Sequence, residues 1–435
     1  MTAATGIGAR VKRKEDQRFL TGTGRYVDDL PLARATYAYF LRSPHAHAKI
    51  KSIDIAAAKK MPGVVEIFTG KDTADAKMGG LICGWVVKDK HGQPHKAPPH
   101  PVMALDTVRY VGDTVAMIVA NSADEAKDAA EAIKVDYEVK PANVDLAKAL
   151  KGAPDIHAEA PGNLIYDWEI GVKADADAAF AKAAHVTKLD IVNNRLIPNA
   201  MEPRAAAAEY DKGTGNYTLW STSQNPHVLR LILSAFVLGI PEHKLRVIAP
   251  DVGGGFGSKI FCYNEETMLT WAASRVGRPI KWTAERTESF MTDAHGRDHV
   301  THAELALDKD GKFLAVRCTG FGNLGAYMTQ IGPLFSTFNI AKHVNSVYQT
   351  PAIEVATRCV FTNTAPITAY RGAGRPEGNY FMERLVDTAA REMGIDPVAI
   401  RARNHIRPIE IPAKVPTGSV YDSGNFPADR KSTRL

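Results

Sequence analysis

Cysteine is scarce in this 435-residue chain, with four residues: Cys83, Cys262, Cys318 and Cys359. None stands in a Cys-x-x-Cys pair or at zinc-finger spacing, which argues against a zinc module or an iron–sulfur cluster carried by this polypeptide. Scattered thiols suit a reducing compartment, so the expected location is the cytoplasm. Long apolar runs are also missing. Nothing approaches the ~20 residues of a bilayer span, and the N-terminal stretch Met1 to Arg18 lacks the apolar core of a signal peptide. Charge of one sign does not dominate. Lys plus Arg number 54 against 48 Asp plus Glu, a net charge of +6. So small an excess permits an anionic ligand but carries no nucleic-acid signature. His-Glu-x-x-His, Gly-x-Ser-x-Gly and any internal repeat are absent as well.

What is present is a globular composition, 45% hydrophobic and 23% charged. The length suggests two or three domains at about 150 residues each. Strand-like runs at 35–42, 50–55, 64–69, 108–111, 115–120 and 135–139 surround a helix at 122–133. That helix opens on a capping box, Ser122 with Glu125. This predicts a compact α+β unit ending near residue 140. An Ala-, Pro- and Gly-rich stretch at 141–165 reads as a linker. Beyond it, strands are expected at 186–192, 205–210, 217–221, 245–249, 280–283, 302–307 and 314–320. Helices are expected at 226–238, 265–276, 383–393 and 398–404, with a hairpin turn at Asp308-Lys309-Asp310-Gly311.

Three stretches carry chemistry. The first, Asp251-Val252-Gly253-Gly254-Gly255-Phe256-Gly257-Ser258-Lys259, follows a strand and lies shortly before a helix. Without Cβ atoms, backbone N–H groups can approach a ligand and converge on an anion or an oxo group. A tight strand-to-helix turn has the same look. The run is no Walker loop, because Ser258 rather than glycine precedes Lys259, and no Rossmann loop, because Ser258 takes the third glycine position. In the second stretch, Arg371 and Arg375 flank Gly372-Ala373-Gly374. Guanidinium forks suit planar anions, and equally suit surface salt bridges. The third, Ser221 to His227, places the Gln224 amide between a strand and a helix, where Ser223 or Asn225 could serve as a cap. The sets His45/His47, His91/His95/His100 and Asp293/His295/His299/His302 have no established metal spacing, so no metal ligand is assigned. Glu265-Glu266 read as helix-opening acids rather than an acid–base pair.

In this order, with Arg18-Phe19-Leu20-Thr21-Gly22, Arg42-Ser43-Pro44-His45-Ala46-His47, Val108-Arg109-Tyr110-Val111-Gly112-Asp113 and Met201-Glu202-Pro203-Arg204-Ala205, the stretches resemble one family. It is the molybdopterin-binding large subunit of the xanthine dehydrogenase, aldehyde oxidase and carbon monoxide dehydrogenase family. The resemblance runs from Gly6 to about Pro427. It implies an α+β fold: a small hammerhead-type α/β domain, then the first part of a molybdenum-cofactor-binding α+β domain. The implied division is an arm at 1–20, the hammerhead at 21–140, the linker at 141–165, the cofactor domain at 166–428 and a non-native tail at 429–435. The implied activity is hydroxylation of an aldehyde or N-heterocycle with water as oxygen source. Implied cofactors are molybdenum–molybdopterin in a dinucleotide form, with FAD and [2Fe-2S] on a medium and a small partner subunit. The complete assembly would be a dimer of heterotrimers. Gln224, Gly255, Phe256, Gly257, Arg371, Gly372 and Ala373 match the family's cofactor-facing positions. Gln224 would hydrogen-bond near the molybdenum oxo or dithiolene group, and a backbone N–H of Phe256–Gly257 would face a metal oxygen.

Departures from the family pattern narrow this reading. Gly372 stands where carbon monoxide-oxidising members carry a copper-binding cysteine. Ile260 stands where purine-oxidising members carry a glutamate, and Ala373 where they carry a bulky aromatic. An aldehyde or N-heterocycle is therefore the expected substrate. The family's catalytic glutamate lies in a second cofactor-binding half. No residue here matches it, so the chain reads as truncated and as inactive alone. The alternative is a catalytically inactive fragment or an assembly module.

Overall fold

The computed structural model describes residue 6 and residues 9–429. Of the tail expected at 429–435, only Asp429 falls among them, as does only part of the N-terminal arm.

Two large sheets organise the chain. The first has seven strands, in the order Leu245–Ile248, Asn216–Ser221, Ala205–Asp211, Ile280–Thr283, Thr36–Arg42, Thr114–Ala120 and Val64–Thr69. It holds three strands of the N-terminal α+β unit and four from beyond residue 200. The seam is a short parallel pairing, Thr36 with Ile280 and Tyr37 with Lys281. Arg278 reinforces it by donating to the Asn121 side chain (2.8 Å) and the Arg34 carbonyl (3.0 Å). The compact α+β unit expected to end near residue 140 therefore shares its sheet with the rest of the chain.

Alanine packing explains why the middle of this sheet can be covered on both faces. Ala205 to Ala208 are all buried. Ala206 and Ala208 pack among Met268, Leu269 and Ala272 of the helix Asn264–Val276, and Ala205 and Ala207 pack beneath Val27. Four alanines would suit a helix by propensity, but their small side chains let a helix and the N-terminal segment approach the strand from either side. Thr114–Ala120 is buried along its whole length, as a central strand requires. The helix Ala123–Glu131 starts as expected, with the Ser122 hydroxyl accepting from the Glu125 N–H.

The second sheet runs Leu164–Gly171, Ala352–Val360, Phe313–Asn323, His299–Leu307 and His185–Asn193. The helix Arg375–Met393 packs on its last two strands. Its start lies eight residues before the expected 383, because Pro376 and Gly378 disguise a helical first turn in which proline is well tolerated. The Ala352–Val360 strand was not expected at all. The helix expected at 226–238 is regular over Pro226–Leu231 and then widens over Ile232–Leu238, where the Ser234 hydroxyl bonds the Arg230 carbonyl at 2.7 Å. The segment read as a linker is packed: Leu146 and Ala149 cluster with Val360, and Ile156 and Ala160 join the core of the second sheet.

Candidate cofactor-binding site

The glycine loop hangs between the edge strand Leu245–Ile248 and the helix Asn264–Val276. Asp251 anchors its start, pairing with Arg18 (2.7 Å) and accepting from the Arg25 N–H (2.7 Å). Gly257 lies at φ +109°, and a Cβ there would come within 2.3 Å of the Ala369 carbonyl oxygen. Its N–H donates to Gln224 Oε1 at 2.9 Å. The Gln224 N–H donates to the Lys259 carbonyl at 2.7 Å. Gly255 lies against this amide, so that a Cβ would sit 2.3 Å from Gln224 Oε1. Phe256 takes up φ +49°, a region disfavoured for side-chain-bearing residues, and is exposed.

The arginine loop closes on the glycine loop. The Arg371 N–H donates to the Phe256 carbonyl (2.9 Å), and the Arg371 guanidinium carbon lies 5.8 Å from the centre of the Phe256 ring. Gly372 lies beside Pro376 at the start of the long helix. Ala373 packs against an apolar cluster of Phe261, Tyr263, Phe335 and Ala369, with Ile260 and Leu334 alongside. Gln224, Gly255, Phe256, Gly257, Arg371, Gly372 and Ala373 are thus brought together as two bonded loops.

The Gly257 N–H is spent on Gln224, so of the pair Phe256–Gly257 it is the Phe256 N–H that stays open. Among the described residues, the N–H groups of Gly254, Gly255 and Phe256 have no acceptor. Gly255 is buried, and a buried N–H without an acceptor calls for one. Consecutive amides around positive-φ residues form the concave donor surface that binds oxo and anionic groups. The residues present therefore fit an oxo-bearing, anionic cofactor.

Residues to which the sequence reading gave no role at the site hold these loops. Arg297, buried, donates to the Tyr370 (3.4 Å) and Arg371 (3.1 Å) carbonyls while pairing with buried Glu377 at 2.8 Å. The Asn339 amide donates to the Ala373 carbonyl at 2.8 Å. Glu202 accepts from the Gly253 N–H at 2.7 Å. No local spacing reveals these partners, because Arg297 and Glu377 stand 80 positions apart.

Behind the loops lies a buried charge cluster. Arg204 pairs with Glu265 (2.6 Å) and Asp293 (2.5 Å), and Arg42 pairs with Glu265 and Glu288 (both 2.5 Å). Burial alone would raise the Glu265 carboxyl, but the two guanidiniums outweigh it and hold it at about 2. Burial pushes the neighbouring Glu266 up to about 7, against the pull of Arg204 and with the Glu265 charge adding to the rise. Glu265 and Glu266 open their helix as expected, but as buried members of this network.

Raised Glu266 has a definite linkage sign. The folded state holds the Glu266 proton after the unfolded chain has released it, so this contribution is full below the ordinary value of 4.5 and fades as pH rises through about 7. Glu266→Gln keeps the protonated shape. It will match the parent near pH 4.5 and exceed its stability above pH 7, as chemical unfolding at the two pH values will show. Equal differences at both would refute the assignment.

The buried His47 ring meets the Pro141 carbonyl, and no cluster of metal-ligating side chains exists among the described residues. No helix there is long and apolar enough to cross a membrane.

Comparison with known proteins agrees with this geometry. Residues 156–405 match the molybdopterin cofactor-binding domain, and residues 21–141 match the aldehyde oxidase and xanthine dehydrogenase a/b hammerhead domain. The carbon monoxide dehydrogenase large chain of Afipia carboxidovorans is 38% identical, over 98% of this chain and 53% of that protein. The structure of quinoline 2-oxidoreductase from Pseudomonas putida 86 superposes with a TM-score of 0.91 at 34% identity, covering 97% of this chain and 53% of that one. The chain thus spans about half the length of these two. Against the nicotinate dehydrogenase large molybdopterin subunit of Eubacterium barkeri it is 29% identical, over 96% of this chain and 92% of that subunit.

Proposed function

Since this chain belongs to the aldehyde oxidase and xanthine dehydrogenase family of molybdopterin-binding proteins, we propose that it forms one wall of a molybdenum hydroxylase site acting on an aldehyde or an N-heterocycle. The observation that carries this reading is the run of unspent amides at Gly254–Phe256 beside the exposed Gln224 amide, closed over by the Arg371 loop. The bound cofactor, in a dinucleotide form, would supply the oxidising metal and activate water.

The chain's own residues do the positioning. The Gly254, Gly255 and Phe256 N–H groups and the Gln224 side-chain N–H donors are held in place for oxygen atoms of the cofactor, with no reorganisation needed when it binds. The exposed Arg371 guanidinium supplies a positive charge beside them. Partly buried Ile260 and Ala373, backed by the buried Phe261 and Phe335, would offer an apolar face to a flat substrate. Gly372 has no thiolate for copper, which weighs against carbon monoxide despite the similarity to a carbon monoxide dehydrogenase. The quinoline enzyme and the nicotinate enzyme supply the heterocycle precedent. The base, a glutamate, comes from a second cofactor-binding half, whether in the same polypeptide or a separate one. The nicotinate enzyme's subunit, of which this chain covers 92%, supports the separate arrangement. Electrons would leave through [2Fe-2S] and FAD partner subunits in a cytoplasmic dimer of heterotrimers.

The test is co-expression of this chain with the second half and the partner subunits. Metal analysis should find one molybdenum per chain. With an artificial electron acceptor, the complex should oxidise a quinoline- or pyridine-type heterocycle or an aromatic aldehyde, incorporating labelled oxygen from water. A complex without molybdenum, or one that oxidises only carbon monoxide, would overturn the proposal.

A further inference from the structure

Lys259 is one of the most buried lysines of the molecule, its side chain only 2% exposed, and it reaches back across the glycine loop to Glu202. The ammonium donates to the Glu202 carbonyl at 2.8 Å and to Glu202 Oε2 at 3.2 Å. The same Oε2 accepts from the Gly253 N–H at 2.7 Å, and the Glu202 N–H donates to the Gly253 carbonyl at 3.2 Å. Gly253 opens the loop and Lys259 ends it, so one carboxylate ties both ends together. A Cβ on Gly253 would come within 2.5 Å of Glu202 Cβ, which shows how closely the two backbones are drawn in. The Lys259 carbonyl also accepts the Gln224 N–H. Lysine and glutamate thus connect Gly253, Gln224 and the Gly257–Gln224 bond into one frame.

An isolated buried lysine or glutamate is expensive, and burial does pull the Lys259 ammonium toward its neutral form. Helix capping or solvation of the ammonium would need no such arrangement. We propose that Glu202 and Lys259 are positioning residues, a buried ionic clamp that sets the separation between the Gly254–Phe256 amides and the Gln224 side chain. Its consequence for the cofactor rests on the reading of the site given above. The clamp itself is a property of this chain alone. It acts by pre-organisation: the loop holds Gly254, Phe256 and Gly257 at positive φ and has no regular structure of its own over 253–257 to keep three N–H groups aimed the same way.

The experiment uses the full chain without cofactor, and reads amide hydrogen exchange in peptides covering 253–257 and 205–211. In Lys259→Met, which keeps most of the apolar stem, exchange of the two bonded amides of 253–257, Gly253 and Gly257, should rise about tenfold or more while the Ala205–Asp211 strand is unchanged. Lys259→Arg, whose fork can reach both Glu202 oxygens, should restore protection. If Lys259→Met does not fold, Glu202→Gln is the milder variant and should loosen the same peptide. In the complete complex, molybdenum retained after gel filtration should fall with Met and recover with Arg. Unchanged exchange at 253–257, or a parallel rise in the 205–211 strand, overturns the clamp. A parent complex that holds no molybdenum overturns the cofactor reading instead, and the exchange result still decides the clamp.

Discussion

Arg204→Leu will destabilise the fold by about 3–5 kcal/mol, the cost of leaving buried carboxylates without their partner. Arg204 is 1% exposed and binds Glu265 and Asp293, while its guanidinium carbon lies 3.8 Å from the centre of the Tyr263 ring. Removing it leaves Glu265 and Glu288 to share Arg42, and leaves buried Asp293 without its ion-pair partner. A domain is stable by only about 5–15 kcal/mol, so the variant should be largely insoluble or unfold at much lower denaturant. Acid should relieve it. Burial already raises Asp293 and Glu288, and protonating them removes the charge that Arg204 had balanced. Urea midpoints at pH 8 and pH 5.5 will show a larger loss at the higher pH. A loss below about 1 kcal/mol at pH 8 would mean that Arg204 does not hold this charge cluster together.

Gly257→Ala will leave the fold in place and empty the site. Its φ of +109° is disfavoured for alanine, and the new Cβ would press within 2.3 Å of the Ala369 carbonyl oxygen. Strain of about 1–3 kcal/mol adds to that collision. The loop must then move, which breaks the Gly257–Gln224 bond and pulls Phe256 away from the Arg371 N–H. The expected cost is roughly 100-fold in cofactor affinity, equivalent to about 3 kcal/mol. Molybdenum content of the complete complex should collapse, while the thermal midpoint and circular dichroism of the chain stay close to the parent. Full molybdenum occupancy in this variant would count against the glycine loop as a cofactor wall.

The local elements were legible from sequence wherever near neighbours decide them. Ser122 with Glu125, Gly277 after its helix, Asp396 before Pro397 and the Asp308–Gly311 turn all appear where short-range capping and turn chemistry place them. The first turns of Arg375–Met393 were hidden by Pro376 and Gly378, whereas the Ala352–Val360 strand was legible and not read: Ile353, Val355, Thr357 and Cys359 face inward, alternating with Glu354, Ala356 and Arg358. The site divides in the same way. The two loops and Gln224 could be picked out because their residue types are unusual at those spacings. Arg297 and Asn339 could not, nor could the pairing of Glu202 with Lys259, since each acts through partners dozens of positions away.

By itself, the sequence determined which backbone could approach a ligand closely: glycines at 253–255 and 257, and small residues at 372–374, allow conformations and contacts that larger side chains forbid. It also determined that no cysteine near Arg371 could hold copper. Only the tertiary structure decided which donors remain free. The Gly257 N–H is consumed by Gln224, 33 positions earlier, and the three amides before it are left open. Tertiary structure also decided that the N-terminal unit and the cofactor-binding region share one sheet, with Arg42 and Arg204 meeting on Glu265 beneath the seam. The physical reason is one of range. Steric freedom belongs to a residue and its immediate neighbours, whereas the pairing of donors, acceptors and buried charges is settled only when distant segments are packed together.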